Sequence, residues 1–169
     1  MNPPLVVVMG ISGVGKSAVG HAVADRSGVP YIDGDDFHPE ANIEKMSAGQ
    51  ALTDDDRWPW LELIGGWLAE HDENGGVISC SALRRVYRDI LTKHARRVVF
   101  LHLVGDHDLI RSRIEGRDHF MPVSLLESQE ATLEQLESDE YGAVFDIVDP
   151  PDKIASDFLD WLGNQEDQP

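Results

Sequence analysis

The sequence predicts a three-layer α/β/α chain: a five-stranded parallel sheet between two layers of helices. Three observations carry this. Apolar runs of strand length recur five times, separated by helix-length segments and without hairpin signals, so the strands run parallel and are covered on both faces. The first run, Leu5-Val6-Val7-Val8-Met9, passes straight into Gly10-Ile11-Ser12-Gly13-Val14-Gly15-Lys16-Ser17, and a helical segment follows at once. Finally, 169 residues with 41% hydrophobic content fit a single domain, 1–169, large enough to bury a core.

Taken in order, the first strand covers about Leu5–Met9 and the first helix runs to about Ser27. Gly28 ends that helix and Pro30 prevents its continuation. A short strand, Pro30–Asp33, precedes helical segments at Pro39–Ser47 and Asp54–Asp72. Thr53 is the expected N-cap of the second, with three acids in its first turn. After the Asn74-Gly75-Gly76 turn come a strand at Val77–Cys80 and a helix at Leu83–His94. The fourth strand, Val98–Val104, is apolar except for His102, and the helix Asp106–Gly116 follows. Ser124-Leu125-Leu126-Glu127 reads as a capping box opening a helix to about Leu136. The fifth strand is about Val144–Val148. Pro151 starts the last helix, expected to end near Leu162, with a frayed polar tail from Gly163.

A net charge of −17 makes nucleic acid and anionic membranes poor partners. No apolar run is long enough to cross a bilayer, and the first apolar stretch lacks a preceding basic region, so it reads as a strand and not as a signal peptide. The single cysteine, Cys80, excludes an internal disulfide and suits a reducing, cytoplasmic setting.

Gly10–Ser17 has the form G-x-x-x-x-G-K-S in its required strand–loop–helix context, a phosphate-binding loop. The backbone over Gly10, Ser12, Gly13, Val14, Gly15 and Ala18 is expected to cradle ATP phosphates. Lys16 reaches the β- and γ-phosphates, and the Ser17 hydroxyl ligates Mg²⁺. Ligands of parallel sheets lie at the carboxyl ends of strands. Asp33-Gly34-Asp35-Asp36-Phe37-His38 stands at such an end. Asp33 is placed to hold Mg²⁺ through water, and Asp35, on the same side by strand alternation, to accept the proton of an attacking hydroxyl. The third strand lacks the terminal Asp that many such proteins use for metal, which moves that role to Ser17 and Asp33.

Arg57, among Asp54-Asp55-Asp56 and two tryptophans, can grip a carboxylate or close an intrahelical ion pair. Trp58, Trp60 and Trp67 read as core. Arg84 and Arg88 lie one helical turn apart, on a face that can meet an anionic substrate. Arg111, Arg113 and Arg117 lead into a Gly-containing loop that resembles a lid, with Arg113 able to stack on adenine and Arg117 to reach transferred charge.

Together, Asp33-Gly34-Asp35-Asp36-Phe37-His38-Pro39, Asn42-Ile43-Glu44-Lys45-Met46, Leu52–Leu61, Cys80-Ser81-Ala82-Leu83 and Tyr87-Arg88-Asp89 resemble bacterial gluconokinase of the thermoresistant type. The likeness runs from about Val6 to Val148. It implies a P-loop fold like that of shikimate and nucleoside monophosphate kinases, with strand order 2-3-1-4-5. It also implies a substrate-binding segment near residues 35–60 and a lid near 117–123. The implied reaction moves the ATP γ-phosphate to the 6-hydroxyl of D-gluconate, commonly in a homodimer. The resemblance further implies adenine between Arg111–Arg113 and the loop at Pro150. Asp35, Asp36, His38, Lys45, Arg57, Ser81, Arg84, Arg88 and His119 are then the candidate gluconate contacts. The lid departs from the family by reading Arg117-Asp118-His119-Phe120, shorter than the Lys-Gly-His-Phe-like string of many relatives, and Arg84-Arg85 replaces frequent lysines. The competing readings are a kinase of shikimate or of a nucleotide on the same fold, and a catalytically silent nucleotide-binding module.

Overall fold

Leu5–Met9 (β1) lies at the centre of the sheet with all five residues buried. A strand paired on both edges and covered on both faces has no solvent side, hence its unbroken apolar sequence. Around it the sheet runs β2-β3-β1-β4-β5, every pair parallel. β2 is Tyr31–Asp33, β3 Gly76–Ser79, β4 Val99–Val104 and β5 Gly142–Asp146. The helices are α1 Lys16–Ser27, α2 Glu40–Ser47, α3 Asp54–Glu70, α4 Arg85–His94, α5 His107–Glu115, α6 Ser124–Thr132 and α7 Pro151–Glu166. α1 packs on α7 and α3 on α4, forming the helical layers. This is a computed structural model, and it describes residues 2–115 and 124–167. The expected lid at 117–123 and the Ser124 side chain of the expected capping box lie outside the described residues.

Local signals placed several elements closely. Gly28 caps α1 in the left-handed conformation (φ 68°). Thr53 and Asp56 form a reciprocal capping box at α3, the threonine hydroxyl accepting from Asp56 N and the Asp56 carboxylate from Thr53 N. Several ends differ from expectation, and three of them trace to tertiary contacts. β5 starts earlier, because its ladder with β4 begins at Phe100 opposite Gly142, and Val148 is left 75% exposed beyond the strand. α6 stops at Thr132, where Glu134 N donates to Leu83 O (2.6 Å) and leaves the helical ladder. α7 continues to Glu166 past Gly163, anchored by buried Phe158 and Leu162.

Candidate active site

The phosphate loop sits between β1 and α1, under the free N–H groups of the helix start. Gly10 has φ 147°, and a Cβ there would lie 2.8 Å from Leu103 O, so only glycine lets the loop leave β1 this close to β4. Lys16 Nζ donates to Gly10 O and Ile11 O, both at 3.0 Å. Burial lowers its pKa, against the opposing pull of carboxylates led by Asp35. The cavity over the loop is lined by Ser12, Gly13, Gly15, Lys16, Ser17 and Ala18, and closed by Asp33, Asp35 and Ser79. A neighbouring cavity of about 420 Å³ joins Val14, Gly15 and Ala18 to Arg113, Asp149, Pro150 and Pro151. There Arg113 donates to Ile147 O (3.3 Å).

Across the cleft, Asp33 ends β2, but the chain then leaves strand geometry. Gly34–Phe37 form a 3₁₀ turn capped by the Asp33 carboxylate, which accepts from Asp35 N at 2.9 Å. The expectation that strand alternation aligns Asp33 with Asp35 is therefore corrected. The turn does it, and both still face the phosphate cavity. Gly34 is pressed so near β3 that a Cβ would stand 2.3 Å from Ser79 O. The turn is fixed from outside by Trp60, whose Nε1–H donates to Gly34 O (2.8 Å). The Asp35 side chain is 51% exposed, yet it opens into the cleft and not onto the outer surface. Its removal from bulk water raises the carboxyl above its usual range, with Lys16 as the main opposing influence.

Behind Asp35, His38 stacks on Trp60 (4.1 Å, 14°). Burial, with Arg57 second, lowers its pKa to about 4. His102 in β4 is fully buried, with neither ring nitrogen hydrogen-bonded among the described residues, and burial likewise lowers it to about 4. Both rings are thus neutral when folded at pH 7 and titrate near 6.5 when unfolded. Their stabilisation is present above pH 6.5 and lost as pH falls towards 4, on the order of 3 kcal/mol per ring at most. Urea midpoints should decline through this window, and replacing His102 with an uncharged residue should flatten the decline.

Arg57 projects from the first turn of α3 into the same cleft, 13% exposed. Its Nη1 donates to Tyr87 Oη (2.8 Å), and the Tyr87 hydroxyl in turn donates to Asp54. Arg84 closes the network by donating to the other Asp54 oxygen. The rest of the Arg57 guanidinium makes no hydrogen bond among the described residues, leaving donors for an anion.

Of the expected substrate contacts, Asp35, His38, Arg57 and Ser81 line one cleft together with Ser12 and Lys16. Others are placed elsewhere. Arg88 does not share a substrate-facing side with Arg84, because it is completely buried. Its guanidinium meets both Glu140 oxygens (2.7 and 3.1 Å) and donates to Ala82 O (2.8 Å), so it props the cleft wall from behind. Ala82 needs that support, since it holds φ 45°, a conformation side chains disfavour. Arg88→Met should lower unfolding free energy by about 3 kcal/mol in urea titration, because it leaves the nearly buried Glu140 carboxylate with only Glu137 N (2.8 Å) and a longer Arg85 contact (3.8 Å). Lys45 is engaged by Asp56 (2.7 Å) and Arg84 by Asp54, and neither lines the cleft; Arg111, expected beside adenine, pairs with Glu115 (3.1 Å) and does not line the cavity of Arg113 and Pro150. Asp36 is exposed outside it. Arg117 and His119 lie outside the described residues.

Sequence reasoning missed one wall altogether. α6 lays Leu125, Ser128 and Gln129 along the cleft, and Gln129 Oε1 accepts from Ser12 N (2.7 Å) in the phosphate loop. Only the helix was legible there. It also gave no role to Tyr87, which was visible as part of a motif.

The chain has relatives of known family. The shikimate kinase family model matches residues 12–153. Gluconokinase of Gluconobacter oxydans is 46% identical over 143 residues, covering 83% of this chain and 80% of its own. Thermoresistant gluconokinase of Escherichia coli is 39% identical over 150 residues, covering 87% and 86%. Among solved structures, a gluconokinase from Sinorhizobium meliloti superposes with TM-score 0.88 at 45% identity, covering 96% of this chain and 93% of that one. An APS kinase from Mycobacterium tuberculosis, at 16% identity and TM-score 0.68, shares the fold. With a shikimate-kinase-type fold and these identities over most of its length, the chain belongs to the gluconokinase family.

Proposed function

We propose that the chain transfers the γ-phosphate of ATP to the 6-hydroxyl of D-gluconate, giving 6-phosphogluconate and ADP. The observation that carries this reading is that the phosphate cavity and the acceptor cleft share Ser12, Lys16 and Asp35. A phosphoryl donor and an acceptor hydroxyl placed in the two spaces meet at an ammonium and a carboxylate. Phosphoryl transfer asks little more of a protein than this alignment and charge neutralisation.

In this assignment the loop N–H groups and Lys16 hold the phosphates, and the purine occupies the cavity between Arg113 and Pro150. Arg57 pairs with the gluconate carboxylate, with donors left over from its bond to Tyr87. The attacking hydroxyl gives its proton to Asp35 as the new O–P bond forms and the bond to ADP breaks. Ser17 and Asp33 fit a divalent cation, which we assign as Mg²⁺. They supply hard oxygens beside the phosphate cavity and too few to enclose an ion alone, the usual arrangement when phosphate oxygens and water complete the shell. When bound, that ion would offset phosphate charge. The lid at 117–123, with Arg117 and His119 over the phosphates and substrate, belongs to the same proposal. So do a cytoplasmic location and a homodimer. No described helix is long and apolar enough to cross a membrane.

A coupled ADP-release assay over gluconate, other sugar acids, shikimate and nucleoside monophosphates tests the reading. Turnover should be greatest with gluconate and require a divalent cation. Folded enzyme that releases no ADP with gluconate would sink it.

A further inference from the structure

We propose that Asn42 sets the tautomer of His38, so that His38 presents a fixed Nε2–H donor to the acceptor hydroxyl and does not act as the base. This builds on the reading of the cleft as the gluconate site.

Asn42 stands on α2, 4% exposed. Its Nδ2 lies 3.2 Å from His38 Nδ1 and 2.9 Å from the backbone carbonyl oxygen of Asp56. A carbonyl oxygen can only accept, so the nitrogen end of the amide must face this corner. Turning the amide over would set two oxygens against each other. An NH₂ group has two protons. One goes to Asp56 O, and the other is aimed at His38 Nδ1. That ring nitrogen must then offer its lone pair, and the single proton of the neutral imidazole resides on Nε2.

The surroundings keep the ring in this form. Trp60 covers one face. From α3, Arg57 opposes a second proton, and burial drives the pKa down to about 4. The Asp56 carboxylate is occupied by Lys45 (2.7 Å) and Thr53 N (2.9 Å). Among the described residues the one carboxylate paired with the ring is Asp35, whose Oδ1 is 3.7 Å from Nε2. That separation exceeds a hydrogen bond. A substrate hydroxyl beside both groups can accept from Nε2–H while donating its own proton to Asp35. Its lone pair and its proton are then both read, and the oxygen is oriented for attack. His38 is a binding residue in this arrangement, and Asn42 a positioning residue acting through it.

Long-range ¹H–¹⁵N correlation of the histidine rings at pH 7 tests this directly. The chain has seven histidines, and the His38→Gln spectrum identifies the resonance. His38 should show a protonated Nε2 and a bare, hydrogen-bonded Nδ1. A protonated Nδ1, or a doubly protonated ring, overturns the proposal. Asn42→Asp replaces the donor with an acceptor and should draw a proton onto Nδ1. Gluconate KM should then rise roughly tenfold with ATP KM unchanged, the cost of one misdirected hydrogen bond to substrate. His38→Gln, whose amide N–H can stand in for Nε2–H, should retain more kcat/KM than His38→Leu. An Asn42→Asp enzyme with unaltered tautomer and unaltered gluconate KM would refute the assignment. Should that variant fail to fold, the wild-type spectrum decides alone. The spectrum also needs no turnover, so it stands apart from the outcome of the gluconate assay.

Discussion

Lys16→Ala should lower kcat by roughly 10²–10³-fold, about 3–4 kcal/mol of transition-state stabilisation. The ammonium stands where the phosphate cavity and the acceptor cleft meet. The described arginines nearest to it are anchored away from this junction, one in the acceptor cleft and one in the neighbouring cavity. Arg57 is tied to Tyr87 and Arg113 donates to Ile147 O. The two carbonyls that hold Lys16 belong to the phosphate loop, so the alanine variant leaves Gly10 O and Ile11 O beside a cleft that water can enter. The fold should therefore persist. Circular dichroism and a melting temperature within a few degrees of wild type would separate lost chemistry from lost structure. Single-turnover measurement at saturating ATP then isolates the phosphoryl step, and near-normal turnover would refute the role.

Asp35→Asn should cost a comparable factor, roughly 10²-fold or more in kcat, while leaving ATP affinity little changed. The substitution keeps the shape of the side chain and the 3₁₀ turn, since that turn is capped by Asp33 and its second residue contributes only backbone to the cap. What disappears is a proton acceptor whose carboxyl is held above the usual carboxylate range. Lys16 loses its principal carboxylate neighbour as well, so a modest change in phosphate contacts accompanies the loss. A variant in which only gluconate KM changes would make Asp35 a binding group and not a base. The two substitutions combined should be less than multiplicative, because both residues face the same transferring group.

Much of this was readable from the chain because the signals are local. The phosphate loop, the Gly28 cap and the Thr53–Asp56 box are each determined within a few residues. Strand order followed from resemblance. The rest depended on partners distant in sequence. Arg88 reads as a surface cation one turn from Arg84. Its burial follows from Glu140, 52 residues on, whose carboxylate makes a completely enclosed guanidinium tolerable. Gln129 had no visible role, because its partner, Ser12 N, lies 117 residues earlier. Asp35 was assigned to the right cavity for the wrong local reason. The close approach of Gly34 to Ser79, which forces the chain into a tight turn, has no signature in the sequence around it.

Cys80, the only cysteine, follows β3 and is 1% exposed, its thiol pushed up by burial to about 12. At pH 8 that leaves roughly one thiolate in 10⁴, in a place reagents cannot enter. Covalent labelling must therefore wait until the sheet opens. The chain thus carries a built-in clock for its own opening. Any compound that binds only the closed sheet slows that clock in proportion to its occupancy. The labelling rate of one sulfur atom then ranks nucleotides and sugar acids by affinity, in wild-type protein and without any reaction taking place.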